Sequence, residues 1–401
     1  MEKVYLLGGL RSPIGLTGGL FKTVPAEELA ATVLRKIAET YPCVRQADGL
    51  LCGNAVGTGG NITRLAALQA GLPLRIPSLT IDMQCASAAA SIELAMTKIG
   101  SGMADILIAG GFESTSMQPV RFYAKEDPRY TEKGFTVAQF SPDTDSAGAM
   151  LEGAERTCQK YGFSREELDA FAVRSHRLAK EACEAGRLKD VIVSVHGNTG
   201  DEGIRDRMSP KLAARMPKLF TEAEVAALLD TETAESSQSG KNFSPVTPLL
   251  TAANACLTND GAAFVALVSQ RAVEKYGLVP EAELVAGCEC GVDPRYSPEG
   301  AIETGQLLLL RCGLQPEQID VFEYNEAFAV ISALFAKKYP ELTDRYCPWG
   351  GALAYGHPYG ASGAILLLHL WQELKQGNGT LGLLSIAGAG GLGTALLVKK
   401  L

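Results

Sequence analysis

The sequence contains no dense run of lysine or arginine, no repeated CxxC spacing, and no uninterrupted apolar run of the roughly 18 residues a membrane span requires. A net charge of -8 without a basic run argues against nucleic acid as the main ligand. A few basic side chains still suffice to meet a phosphorylated small molecule. The cysteines are scattered from Cys43 to Cys347, with Cys288 and Cys290 the one close pair. That favours free thiols in a reducing compartment over a disulfide framework or a metal site. MEKVYLLGGLRSPIG has neither the charged leader, the apolar core nor the cleavage site of a secretory signal. A soluble, cytoplasmic protein is expected, with no metal, no membrane span and no nucleic-acid partner. None of the glycine clusters carries the Gly-Lys-Ser/Thr of a phosphate-binding loop. GAGGLG resembles half of a dinucleotide fingerprint, but strand-like TALLV follows it instead of a helix. Histidine is scarce as well, with four in the chain, which leaves few candidates for proton transfer.

At 401 residues, 46% of them hydrophobic, the chain can bury a large core. Strand-like and helix-like segments alternate from KVYLLGGL through PAEELAATVLRKIAE, DGLLCGNA and ITRLAALQAG. The alternation returns in ELVAGCECGV, IETGQLLLLRCG, IDVFEYNEAF, ASGAILLLHLWQEL and LGLLSIAGAGGLGTALLVKK. Two similar α/β halves with largely parallel sheets are expected. Residues 120–250 are richer in charge and in chain breakers, and read as an inserted, more helical and more exposed region. Within it, ESSQSGKN reads as a mobile loop.

Candidate chemistry begins at IDMQCASAAASIELA, residues 81–95. Strand-like PSLTIDM and helix-like SAAASIELAMTKIGSG set Cys85 at a strand-to-helix junction. A thiol there lies near the positive end of the helix dipole and near unpaired amides, which favour thiolate and can receive an oxyanion. The alternative is a small buried hydrophobe, the ordinary state of a free cysteine. His357 is held between Gly356 and Pro358 in AYGHPYGASG, a fixed backbone suited to catalysis, whereas His176 and His369 fall on helical segments. EYNEAFAV ends an apolar strand with Asn325 and Glu326 facing a cleft, or with Asn325 capping a helix that starts at Glu326.

These pieces, with RSPIG, GNAVGTGGNITRLAALQAGLP, AGGFESTSM, DEGIRDRMSPKLAARMPKLF, LTAANACLTNDGAAFVAL and GGALAYGHPYGASGA, occur in an order that resembles the thiolase family along nearly the whole chain. The resemblance implies an acyltransferase that joins or cleaves acyl units on coenzyme A, with acyl-CoA as substrate and no separate cofactor. It implies an α/β thiolase fold: two similar βαβαβαββ halves in a five-layered α-β-α-β-α arrangement, plus an inserted loop domain. The divisions are 1–118 for the N-terminal half, 119–250 for the loop domain, 251–279 for the return of the first half and 280–401 for the C-terminal half. A homodimer or homotetramer is implied too. By position, Cys85 matches the acylated nucleophile, His357 its activating histidine, and Asn325 the residue that holds an oxyanion-hole water. Glu326, Ala389 and Gly390 match oxyanion or loop support. Coenzyme A contacts fall on the middle region, where Arg205, Arg207, Lys211 and Lys218 supply positive charge or form an ordinary solvated face. Cys256 is a further candidate contact.

One expected feature is missing. The family's second cysteine, which takes the α-proton of the incoming acyl group, precedes the last glycine loop or stands in an HDCF run. Here Ala387 and Ala327 occupy those two positions. Either another thiol has taken over, with Cys347, Cys288 and Cys290 as candidates, or no such base is used. In the second case the carbanion would come from decarboxylating a malonyl-type donor, as in ketoacyl-synthase relatives. A non-catalytic acyl-CoA binder on the same fold is the third reading.

Overall fold

The computed structural model describes residues 2–142, 148–235 and 246–401, with the backbone alone over 230–235. The ESSQSGKN segment lies, beyond its first residue, outside the described residues. The strands are β1 (Val4–Arg11), β2 (Gly15–Leu16), β3 (Gly49–Gly53), β4 (Ser78–Ile81), β5 (Ile106–Ser114), β6 (Asn259–Ser269), β7 (Ala282–Gly291), β8 (Val321–Tyr324), β9 (Leu381–Gly388) and β10 (Leu392–Lys400). The helices are α1 (Ala26–Thr40), α2 (Ile62–Gln69), α3 (Ser87–Gly100), α4 (Ala149–Tyr161), α5 (Arg165–Glu184), α6 (Pro210–Ala213), α7 (Glu222–Glu235), α8 (Gln270–Tyr276), α9 (Glu299–Cys312), α10 (Ala329–Lys338), α11 (Ala352–Tyr355) and α12 (Ser362–Gln376). Local chemistry sets several of their ends. Ser164 and Glu167 form a reciprocal capping box that starts α5. Left-handed glycines 162, 277 and 313 stop α4, α8 and α9.

The strands run in the order β4-β3-β5-β6-β1-β7-β10-β9-β8, with β2 paired to β6. The two halves meet where β1 and β7 pair antiparallel over Val4↔Leu284, Tyr5↔Glu283 and Leu6↔Ala282. The path β1-α1-β3-α2-β4-α3-β5-β6 repeats as β7-α9-β8-α10-α12-β9-β10. In the second half the partner of β8 that corresponds to β4 shrinks to the single parallel bridge Phe322↔Tyr346. Three apolar clusters separate the layers. One holds Leu29, Val33 and Leu34 of α1 against Ile108 and Phe264. Another holds Leu308 of α9 and Phe335 of α10 against Phe322 and Leu397. Between the sheet halves, Ile92 and Met96 of α3 meet Ile365 and Leu368 of α12. Helix α12 is buried on every side over most of its length, as a middle-layer helix must be. The result is a five-layered α/β fold.

Between β5 and β6 the chain makes α4 to α7. Its helix α5 packs on α10 and α11. The buried carboxylate of Glu155 accepts the amides of Leu249 and Leu250, and Asp169 accepts the side-chain amide of Asn254. These bonds fix the strap 249–256 as it returns towards β6. Among the described residues no helix is long and apolar enough to cross a membrane.

Candidate active site

Between β4 and α3 the chain makes a tight elbow. Gln84 is left-handed, with a φ of 53°, and its amide donates to Asp82 Oδ1. Ser87 Oγ accepts the Met83 amide at 2.8 Å and donates to the Gln84 carbonyl at 2.5 Å. The strained residue turns Cys85 out of the strand two positions ahead of the first helical residue. Cys85 is 8% exposed. The amide N–H of Ala389 and that of Cys85 itself both reach its sulfur and favour thiolate. Burial and the Glu113 carboxylate outweigh them and push the thiol up to about 12. Desolvation thus works against the helix-start effect that the sequence suggests for this thiol.

His357 is buried, and burial lowers its pKa to about 3, so its ring is neutral. Its Nδ1 lies 2.6 Å from Ser362 Oγ at the start of α12. With Nδ1–H donating to that hydroxyl, Nε2 carries the free lone pair. The His357 amide donates to Asn259 Oδ1 at 2.8 Å, and Thr258 bridges the same backbone. Tyr359 sets its ring edge-on to the imidazole at 5.1 Å between centroids. The loop continues into Gly360, whose amide donates to Glu113 Oε2 at 3.1 Å. The same carboxylate accepts Asn54 Nδ2 and the amides of Ala55 and Val56. Glu113 thus ties the histidine loop to the sheet beneath Cys85, and burial raises its own pKa to about 7.

Asn325 is buried with its Nδ2 at 3.4 Å from His357 Nε2 and 3.5 Å from Nδ1. It does not cap a helix: α10 begins at Ala329 with Phe328 as its cap, because the Ala327 carbonyl is committed to the Cys256 amide at 2.9 Å. Glu326 turns away, accepting the hydroxyls of Ser175 at 2.6 Å and Ser332 at 3.1 Å, and burial raises its pKa. It supports the Gly351 loop and does not face the sulfur. Gly390, left-handed at φ +85, follows Ala389, and a side chain there would press on the Phe140 carbonyl.

Ala387 and Ala327 share one buried cluster with Ala255, and Cys256 packs against that cluster. The other thiols have separate partners. Cys347 is buried with Sγ 3.4 Å from the Tyr324 carbonyl oxygen, Cys288 lies 3.6 Å from the Thr304 carbonyl, and Cys290 lies 2.7 Å from Thr304 Oγ1. Arg205 reaches the Ala252 carbonyl at 3.3 Å, and Lys218 bridges Thr251, so both flank the strap that leads to Cys256. Arg207, Lys211 and Lys218 are exposed, and among the described residues none has an acidic partner. Also among the described residues, no group of three or more His, Cys, Asp or Glu side chains is arranged to hold a metal ion. Sequence reasoning missed Glu113, Asn259, Tyr359 and Ser362. Ser362, five residues after His357 at a helix start, carried the one signal that was available locally.

Comparison with known proteins finds matches along the whole chain. Residues 4–271 match the thiolase N-terminal domain, and residues 278–400 match the thiolase C-terminal domain. An acetyl-CoA acetyltransferase of Allochromatium vinosum is 33% identical over 409 residues, covering 100% of each chain. A Staphylococcus epidermidis relative, VraB, to which acetyl-CoA C-acetyltransferase activity is provisionally attached, is 32% identical and spans 100% of this chain and 99% of its own. The crystal structure of the Bacillus anthracis acetyl-CoA acetyltransferase superposes with a TM-score of 0.87 at 28% identity, over 100% of this chain and 99% of that one.

Proposed function

Because the chain belongs to the thiolase family, we propose that it moves a short acyl group between coenzyme A and carbon, holding the group in transit on Cys85. The observation that carries this is a buried thiol under two amide donors, joined through Tyr359 to a neutral histidine fixed through Nδ1. In the first half, Cys85 Sγ attacks the thioester carbonyl while His357 Nε2 takes its proton. The negative oxygen accepts the amides of Cys85 and Ala389, and coenzyme A departs as its thiolate. A histidine already protonated at neutral pH could not do this, and burial keeps the ring neutral. We read Asn325 as holding the oxyanion-stabilising water of the carbon-carbon step.

Residues 119–250 are read as the loop domain, with Arg205, Arg207, Lys211 and Lys218 offering charge to the coenzyme A phosphates. No cofactor is needed beyond the thioester. A homodimer or homotetramer in the cytoplasm completes the reading.

Incubation with a short acyl-CoA is expected to add one acyl group per chain, on Cys85, seen by intact-mass and peptide analysis. Cys85→Ala should remove the adduct, and acylation mainly at another cysteine would sink the proposal. Acetyl-CoA and malonyl-CoA, offered separately to the acylated protein, distinguish condensation by proton removal from condensation by decarboxylation.

A further inference from the structure

Joining two acyl units needs more than the acylated cysteine. A base must take a proton from the carbon beside a thioester carbonyl, and without one ~10²- to 10⁴-fold in rate is forfeited. The titratable groups that sense one another around Cys85 are Asp82, Glu113, Tyr359 and Cys256, with His357 beside them. Glu113 has both oxygens occupied by N–H donors. Asp82 receives the amide and the side chain of Gln84. His357 is taken up with the Cys85 proton. Tyr359 packs its ring on His357, and burial holds its phenol far above the ordinary range. The Cys256 sulfur has, among the described residues, only its own backbone N–H as donor; burial and the Cys85 thiol raise its pKa as well, and its place in the backbone is what sets it apart.

The backbone puts this thiol where the reaction needs it. The Cys256 amide donates to the Ala327 carbonyl, and Ala327 in turn donates to the Asn325 carbonyl at 2.8 Å. Ala255 bridges Phe328. Two residues on, Thr258 bridges His357, and Asn259 accepts its amide. Cys256 is therefore strung between the Asn325 and His357 backbones. Ala327 and Ala387 lie in the cluster it packs against, and each presents only a methyl where a thiol is larger by a sulfur atom. Cys256 is half-buried, whereas Cys347 is fully enclosed.

We propose that Cys256 is the catalytic base for the α-proton, replacing the thiol absent from positions 327 and 387; this rests on the acyl-transfer reading above. The steps balance without an outside reagent. The first coenzyme A leaves as thiolate and takes the Cys256 proton, so coenzyme A departs as thiol and Cys256 is left as thiolate. That thiolate removes the α-proton of the second acyl-CoA. The resulting enolate carbon attacks the carbonyl on Cys85, and the C–S bond to Cys85 breaks. Cys85 leaves as thiolate, takes back the proton held by His357, and Cys256 remains a thiol.

The test runs two readouts on the intact protein with acetyl-CoA in deuterated water: acylation of Cys85 by mass, and deuterium entering the acetyl methyl. The parent should show both. Cys256→Ala should still form the Cys85 adduct, at whatever rate, and lose methyl exchange and acetoacetyl-CoA formation by ~10²-fold or more. If the alanine variant fails to acylate, Cys256→Ser, which keeps the size and shape, decides on the same criteria. Cys290→Ser should retain both activities. Exchange within threefold of the parent in the Cys256 variants overturns the proposal. So does a parent that acylates Cys85 yet exchanges no deuterium, while the acyl-transfer reading survives. A parent that never acylates Cys85 removes both.

Discussion

Burial pushes the Cys85 thiol up, which makes proton removal part of the proposed attack. In that proposed mechanism His357 is the partner that takes the proton. His357→Ala is expected to slow acylation of Cys85 by ~10²-fold or more, measured as the pre-steady-state rate of adduct formation. The pH dependence carries a sign. A free imidazole loses its base form below pH ~6.5, but here burial lowers the pKa to about 3. The acylation rate of the parent should therefore show no acid-side fall between pH 7 and 5. A break near 6.5 would mean that the ring is more solvated than its packing against Tyr359 and Asn325 allows.

Strand β5 and the loop after α11 approach so closely that side chains are excluded between them. A Cβ on Gly111 would run into the Gly360 carbonyl oxygen, three residues beyond His357. This accounts for the glycines of AGGFES and AYGHPYG. Gly111→Ala is expected to destabilise the protein by about 1–3 kcal/mol through overpacking. It should also slow acylation, because the shift falls on the loop that carries the base. Gly200, which has open space around it, serves as the comparison: Gly200→Ala should change the denaturant midpoint little. The type of each element near the site was legible, since KVYLLGGL, SAAASIELAMTKIGSG and ASGAILLLHLWQEL became β1, α3 and α12. The start of α10 was not, because it is set by a hydrogen bond from Cys256, some 70 residues earlier in the chain.

Across the whole molecule, buried ionisable groups work in opposite directions with pH. His369, packed edge-on to Tyr355, has its pKa lowered to about 3 by burial. Its share of stability is present above the unfolded value of ~6.5 and lost as pH falls towards the folded one. Glu373, buried beside Glu323, is raised to about 8 by burial. Its share is present below the ordinary carboxylate range and lost as pH rises through about 8. Denaturant midpoints measured from pH 4 to 9 should separate the two. His369→Phe should gain on the parent as pH falls from 6.5 to 4, by up to about 1.4 kcal/mol per unit. Glu373→Gln should gain on it as pH rises from 5 to 8. Parallel curves for parent and variants would mean that these groups titrate normally.

The sequence by itself determined the alternation of strands and helices, the repeat of the two halves, and the residue types able to do thioester chemistry: Cys85 at a junction, His357 in a glycine-lined turn, Asn325 at a strand end. These are local properties, carried by spacing and by the conformations that glycine and proline impose. Only the tertiary structure decided which groups are charged. Desolvation depends on everything that closes around a side chain, so the Cys85 thiol is pushed up and the His357 ring down, shifts that no local pattern shows. It also decided which thiol stands beside Cys85. In the sequence Cys347, Cys288 and Cys290 were the candidate substitute thiols, and Cys256 only a coenzyme A contact. A strap tied at Asn254, Ala327 and His357 carried Cys256 to the reaction centre, because backbone hydrogen bonds between distant segments, and no local pattern, fix where a loop side chain ends up.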